Sequence, residues 1–172
     1  MPELPEVETV RRVLQSRLAG LMLEGFRVPK TTFYRAPDLA GAVLRGSLLR
    51  EIRRRGKYLI LDLSEGKPLT LHLGMSGRLI LEGGGSHIRF ELAVGGHVLA
   101  FNDPRRFGRV GCPLPSLGPE PLSPDFTPET LRESLRGRRA PVKALLLDQR
   151  VVAGIGNIYA TEALHAAGIR PD

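Results

Sequence analysis

The 172-residue chain is predicted to be an α+β protein: an antiparallel β-sandwich with a helix in front of it and the start of a helical domain behind it. Three observations predict this. Over the first eighteen positions, apolar residues recur at three- and four-residue steps, which is one face of a helix. Between residues 48 and 101, short apolar runs alternate with glycine-rich breaks at the spacing of a sandwich. Six prolines then fall between Pro113 and Pro128, and helical signals resume after them.

Val7, Val10, Leu14 and Leu18 form the stripe of the first helix, with Pro5 opening it. Glu6 and Glu8 lie in its first turn and Arg11, Arg12 and Arg17 further on, the order that the helix dipole favours; Gly20 is the stop. Leu21–Val28 reads as a strand, and Asp38–Leu44 as a short helix stopped by Gly46. Sandwich strands are predicted at Leu48–Arg53, Tyr58–Leu63, Leu69–Leu73, Arg78–Leu81, Ile88–Val94 and His97–Phe101, with hairpin turns at Ser64–Lys67 and Gly95-Gly96. After the proline-rich linker, Thr127 caps a helix that starts at Pro128 and runs to Leu135. Pro141 opens another through Leu147, and Asn157 caps a third through Ala167, with Gly168 as its stop. The predicted domains are therefore a sandwich over 1–126 and the beginning of a helical domain over 127–172.

A net charge of +7 and a majority of arginine among the basic residues point to a polyanionic partner, nucleic acid ahead of a membrane surface. No apolar run approaches 18 residues, so no membrane span is expected, and the chain is expected in the cytoplasm. One cysteine, Cys112, allows neither an internal disulfide nor a cysteine-based zinc site.

Several stretches have the residue types for chemistry on nucleic acid. Met1-Pro2-Glu3 is an unusual opening. With the initiator methionine trimmed, Pro2 would present a secondary amine with a pKa of about 7.7–8.0, partly neutral at pH 7. Such an amine attacks a sugar carbon, and its iminium stays charged at any pH; Glu3 is placed to move a proton. A disordered leader accounts for the same residues. Lys57 follows three arginines and reads as well as a solvated basic turn. In Gly74-Met-Ser-Gly77 the glycines permit a tight turn with Met75 pointing out; Ser76 does not fit a nucleophile elbow. Asn102-Asp-Pro-Arg-Arg-Phe-Gly108 is a loop that groups arginines with an aromatic, a combination suited to base stacking, unless Phe107 tucks into the core. Val152–Ala160 contains Gly-x-Gly-x-x-Ala, close to a dinucleotide fingerprint, but it follows a helical pattern rather than a strand. Phosphate binding at a helix start by Asn157, joined by Lys143 and Arg139, is the better reading.

The opening Met1–Arg12 and five further stretches, Arg54-Arg-Gly-Lys-Tyr-Leu59, His72-Leu-Gly-Met-Ser-Gly77, Asn102–Gly108, Leu117-Gly-Pro-Glu-Pro-Leu122 and Gly154-Ile-Gly-Asn-Ile-Tyr-Ala160, together resemble the formamidopyrimidine-DNA glycosylase family. The resemblance implies an active site in the cleft between a sandwich and a helix-two-turns-helix domain. It makes Pro2 the nucleophile, Glu3 the proton donor and Lys57 a backbone contact that aids proton transfer. It makes Met75 and Phe107 wedges at a flipped nucleotide and Arg105 the reader of the opposite base. His72, His87, Arg139, Lys143 and Asn157 become DNA contacts, and Glu6 holds the N-terminal segment in place.

The function so implied is excision of oxidised purines, such as 8-oxoguanine and formamidopyrimidines, from duplex DNA, followed by strand cleavage at the abasic site. The expected partner is double-stranded DNA with oxidised bases or abasic sites, bound by a monomer with no membrane. Family members continue into a C-terminal ribbon that holds one structural zinc; no metal ligand or cofactor is expected in this chain. An endonuclease VIII-type enzyme for oxidised pyrimidines and a non-catalytic damage-binding fragment are the alternatives.

Overall fold

Pro5 in the first turn and a side-chain bond from the N-terminal segment start helix α1, Leu4–Leu18: the backbone N–H of Glu3 donates to Oε2 of Glu6 at 2.8 Å. Glu6 therefore anchors the N-terminal segment as predicted. Gly20, at φ +86°, turns the chain out of the helix. Val7, Leu14 and Leu18 are buried, and Val10 packs beside them. The computed structural model describes residues 1–29 and 45–172. The predicted helix Asp38–Leu44 lies outside the described residues.

The chain divides into two compact units, 1–54 with 58–114, and 55–57 with 115–172. The first unit contains α1 and eight strands: β1 Leu23–Arg27, β2 Leu49–Arg55, β3 Tyr58–Leu63, β4 Leu69–His72, β5 Arg78–Leu81, β6 Ile88–Val94, β7 His97–Asn102 and β8 Arg109–Val110. They form two four-stranded sheets, in the orders β1-β6-β7-β5 and β2-β3-β4-β8. One core joins Leu23, Phe90, Leu92, Leu99 and Phe101 of the first sheet to Leu49, Ile52, Leu59, Leu61 and Leu71 of the second, with α1 against it. This is the predicted antiparallel sandwich. β3 and β4 join through the turn at 64–67, with Tyr58 opposite His72. β6 and β7 join through Gly95 and Gly96, both at positive φ. β8 was not foreseen: it is two residues long and pairs with Leu71 and His72.

The second unit carries helices α2 Pro128–Leu135, α3 Val142–Leu147 and α4 Asn157–Ala166. Thr127 caps α2 as predicted, its hydroxyl accepting from the N–H of Thr130 at 3.2 Å. Leu146, Val151, Val152, Ala160 and Leu164 form the unit's core. Strand and helix ends shift by one or two residues from those predicted, and the start of α4 needs a correction of its own. Asn157 is the first residue of α4, and Gly156 is its cap. Gly156 is extended, at φ −127° and ψ −162°, while its carbonyl already accepts from Ala160 at 2.9 Å, so the helix begins one residue after the cap expected from residue type.

Candidate nucleic-acid interface

Glu3 sits directly before α1 with 1% of its surface exposed, and Pro2 beside it is partly exposed. One turn on, Glu8 gathers three guanidinium groups: Arg11 and Arg12 at 2.9 Å and Arg54 at 3.1 Å. The Arg11 hydrogen bonds are the largest influence, and the Glu8 carboxyl is held down to about 2 against partial burial. Arg53 pairs with Asp62. Within the second unit, Arg55 reaches the carbonyls of Leu117 and Gly118 and the carboxylate of Glu120. The three consecutive arginines are therefore engaged within the protein.

Two turns of the first unit project large side chains into solvent. Gly74 adopts φ +64°, and Met75 after it is 48% exposed. In the second turn Phe107 is 50% exposed, which excludes its placement in the core, and the Arg105 guanidinium lies over its ring at 4.9 Å. The turns touch. A Cβ on Gly74 would stand 2.4 Å from the carbonyl carbon of Phe107, and one on Gly108 would meet the Phe101 ring at 2.4 Å. Met75, Arg105 and Phe107 are thus brought together on one edge of the sandwich. Just before that edge, His72 accepts a hydrogen bond at Nδ1 from the N–H of Gly74 at 3.1 Å, and its ring lies 4.6 Å from that of Tyr58. His87 is exposed, and its carbonyl accepts from Asp103.

In the second unit, the Arg55–Lys57 turn is held by Glu120, whose Oε1 accepts from the N–H of Gly56 at 2.5 Å. Lys57 is 5% exposed, which overturns its reading as a solvated basic turn. Arg139 is exposed ahead of α3, Lys143 lies half-buried in its first turn, and Asn157, Ile158 and Tyr159 are exposed at the start of α4. The segment between α3 and α4 is wrapped around one side chain. Gln149 donates from Nε2 to the carbonyl of Ile155 at 2.8 Å and accepts at Oε1 from Gly154 at 2.9 Å. This segment is a loop between helices, so the dinucleotide reading fails on structure as well as on sequence.

Asp103, Ser76, Glu120 and Gln149 were absent from the predicted site. Each is a polar residue whose side chain ties down a turn or loop, and only the motif positions of Ser76, Asp103 and Glu120 hinted at it. Among the described residues no group of three or more His, Cys, Asp or Glu side chains is placed to hold a metal ion. Among the described residues, too, no helix is long and apolar enough to cross a membrane.

The sequence model of the formamidopyrimidine-DNA glycosylase N-terminal domain matches residues 1–110, and that of the same family's H2TH domain matches residues 117–172. The formamidopyrimidine-DNA glycosylase of Xanthomonas campestris pv. campestris is 46% identical over 192 residues, spanning 99% of this chain and 68% of that protein. A Lactococcus lactis Fpg variant solved with Fapy-dG-containing DNA superposes with a TM-score of 0.87 at 34% identity, over 99% of this chain and 68% of that one. MutM solved with DNA containing carbocyclic 8-oxo-G gives a TM-score of 0.88 at 34% identity, over 99% and 70%. With matches to both of its domains and this level of identity across nearly the whole chain, the protein belongs to the formamidopyrimidine-DNA glycosylase family.

Proposed function

We propose that this chain acts in base excision repair, removing oxidised purines such as 8-oxoguanine and formamidopyrimidines from duplex DNA and then cleaving the strand. The observation that carries the reading is Pro2 placed directly before the buried carboxyl of Glu3 at the opening of α1. With Met1 removed, the Pro2 nitrogen uses its lone pair to form a bond to C1′ of the extruded nucleotide. The N-glycosidic bond breaks, its electron pair leaves with the base, and the base takes up the proton that the Pro2 nitrogen gives up. Glu3 gives a proton to the ring oxygen as the sugar opens, and the Pro2 nitrogen is left in an iminium. The iminium accepts the electron pair freed when a proton leaves C2′. The 3′ phosphate then departs by β-elimination, and the 5′ phosphate by δ-elimination.

Chemistry is assigned to the domain predicted over 1–126 and backbone grip to 127–172. Met75 and Phe107 fill the space behind the extruded base, and Arg105 addresses the base opposite it. Lys57, His72, His87, Arg139, Lys143 and Asn157 contact the DNA backbone. The partner is damaged duplex DNA, bound by a monomer in the cytoplasm. The +7 charge and the lesion-bearing DNA in the solved relatives support this reading.

Borohydride added during reaction with a lesion duplex tests it. A covalent adduct mapping to Pro2, strongly reduced in Pro2→Gly, is the expected result. An adduct at Lys57 with Pro2→Gly fully active would sink the assignment.

A further inference from the structure

We propose that Ser76 and Asp103 are positioning residues that lock Met75, Arg105 and Phe107 into one rigid reading edge. This rests on the reading above, in which those three side chains enter the duplex.

Asp103 is completely buried, and each polar group it offers in the described bonds has a different partner. Its Oδ1 accepts from the Ser76 hydroxyl at 2.6 Å, and its Oδ2 accepts from the N–H of Gly108 at 2.8 Å. Its carbonyl accepts from Nε of the buried Arg89 at 2.8 Å, and its N–H donates to the carbonyl of His87 at 3.0 Å. The Ser76 oxygen is also approached by the N–H of Arg105, at 3.4 Å. Three separate segments (74–77, 87–89 and 103–108) therefore converge on one residue, the first and last through its carboxylate and the middle one through its backbone.

The side chains proposed to meet DNA radiate from this point. Met75 immediately precedes Ser76, and Arg105 and Phe107 lie two and four residues beyond Asp103. The two turns also abut through the Gly74–Phe107 backbone approach, so close that no side chain fits between them. Ser76 has no histidine against its hydroxyl in any described bond and donates to a carboxylate, so it serves geometry rather than nucleophilic attack. If the Ser76 hydroxyl is removed, Asp103 loses the bond that spans the two turns, while Gly108, Arg89 and His87 still hold it in place. The edge then loosens without losing its core.

Misplacing a reacting or wedging group by an ångström can cost about a hundredfold in rate, so the effect should be large and confined to steps that need the edge. Ser76→Ala and Ser76→Thr are compared with wild type in three measurements: excision of a duplex lesion opposite cytosine and opposite adenine, nicking of a preformed abasic site in single-stranded DNA, and thermal midpoint. Ser76→Ala should excise at least about tenfold more slowly and flatten the opposite-base ratio, with abasic nicking and midpoint near wild type. Ser76→Thr, which keeps the hydroxyl, should recover both rate and ratio. Wild-type rate and ratio in Ser76→Ala would overturn the brace. So would parallel loss of abasic nicking or a collapsed midpoint, which would make the pair merely structural. Wild-type protein inactive on every substrate would instead sink the base-excision reading, and the brace with it.

Discussion

The carboxylate of Glu120 accepts a hydrogen bond from the backbone N–H of Gly56 across 64 positions of sequence. The same carboxylate faces Arg55 at 3.4 Å. This gives the Leu117–Leu122 stretch a physical role: its glutamate sets the turn that presents Lys57. Glu120→Ala should strand a partly buried N–H, at about 1–3 kcal/mol, and lower the thermal midpoint. It should also weaken duplex binding, although Glu120 is not proposed to touch DNA. Glu120→Gln keeps an acceptor oxygen and should fall between the two. Calorimetry and fluorescence anisotropy measure both effects; unchanged binding in Glu120→Ala would separate the turn from DNA recognition.

Glu8 makes stability depend on pH in a defined window. Its folded value, held at about 2 chiefly by Arg11, lies below the ordinary 4.5. The contribution is therefore complete above about 4.5 and fades as pH falls toward about 2. Glu8→Gln should be less stable than wild type at pH 7, and the gap should close through that window. Thermal melts at a series of pH values check this. A gap that stays constant down to pH 2 would contradict it.

Binding to duplex DNA should fall steeply with salt. If Arg139 and Lys143 each neutralise a phosphate, Arg139→Ala and Lys143→Ala should each reduce the log–log salt slope by about 0.9. Asn157→Ala removes no charge, so it should weaken binding with the slope unchanged. Binding that ignores ionic strength would contradict a DNA role for these residues.

Met75→Ala tests the wedge. Half of this side chain is exposed, so truncation should leave the thermal midpoint nearly unchanged. Unstacking a base costs a few kcal/mol, so loss of the plug should slow excision from duplex DNA by about tenfold or more. Cleavage of a preformed abasic site in a single strand should survive, since no base is held out there. Equal loss of both activities would mean that Met75 serves the chemistry instead.

Elements announced by local signals were legible in sequence. Gly20, Thr127, Pro128 and the Gly95-Gly96 pair act on their own backbone, and the structure places them as read, while the first helix begins one residue before Pro5. Exposure of Met75 was legible for the same reason, because Gly74 makes the turn. What escaped depends on partners far along the chain. The burial of Lys57 and the roles of Ser76 and Glu120 rest on contacts between distant segments, with 27 positions separating Ser76 from Asp103. β8 escaped because two residues carry no periodicity. Asn157 was displaced by one position because asparagine suits a cap by type, while the extended backbone at Gly156 decided the matter.

The arginine-rich strand β2 has one more consequence. Among the described residues it forms an outer edge of its sheet, and that edge is already covered: Leu49 exchanges backbone bonds with Gly20 and Leu21, and Ile52 donates its N–H to Gln15 and accepts at its carbonyl from Arg11. Arg50, Glu51 and Arg53 are exposed along it. A second copy approaching edge to edge would have to displace those bonds first. The cover that α1 and the turn after it lay along β2 thus acts as a fender against fibril-like self-pairing.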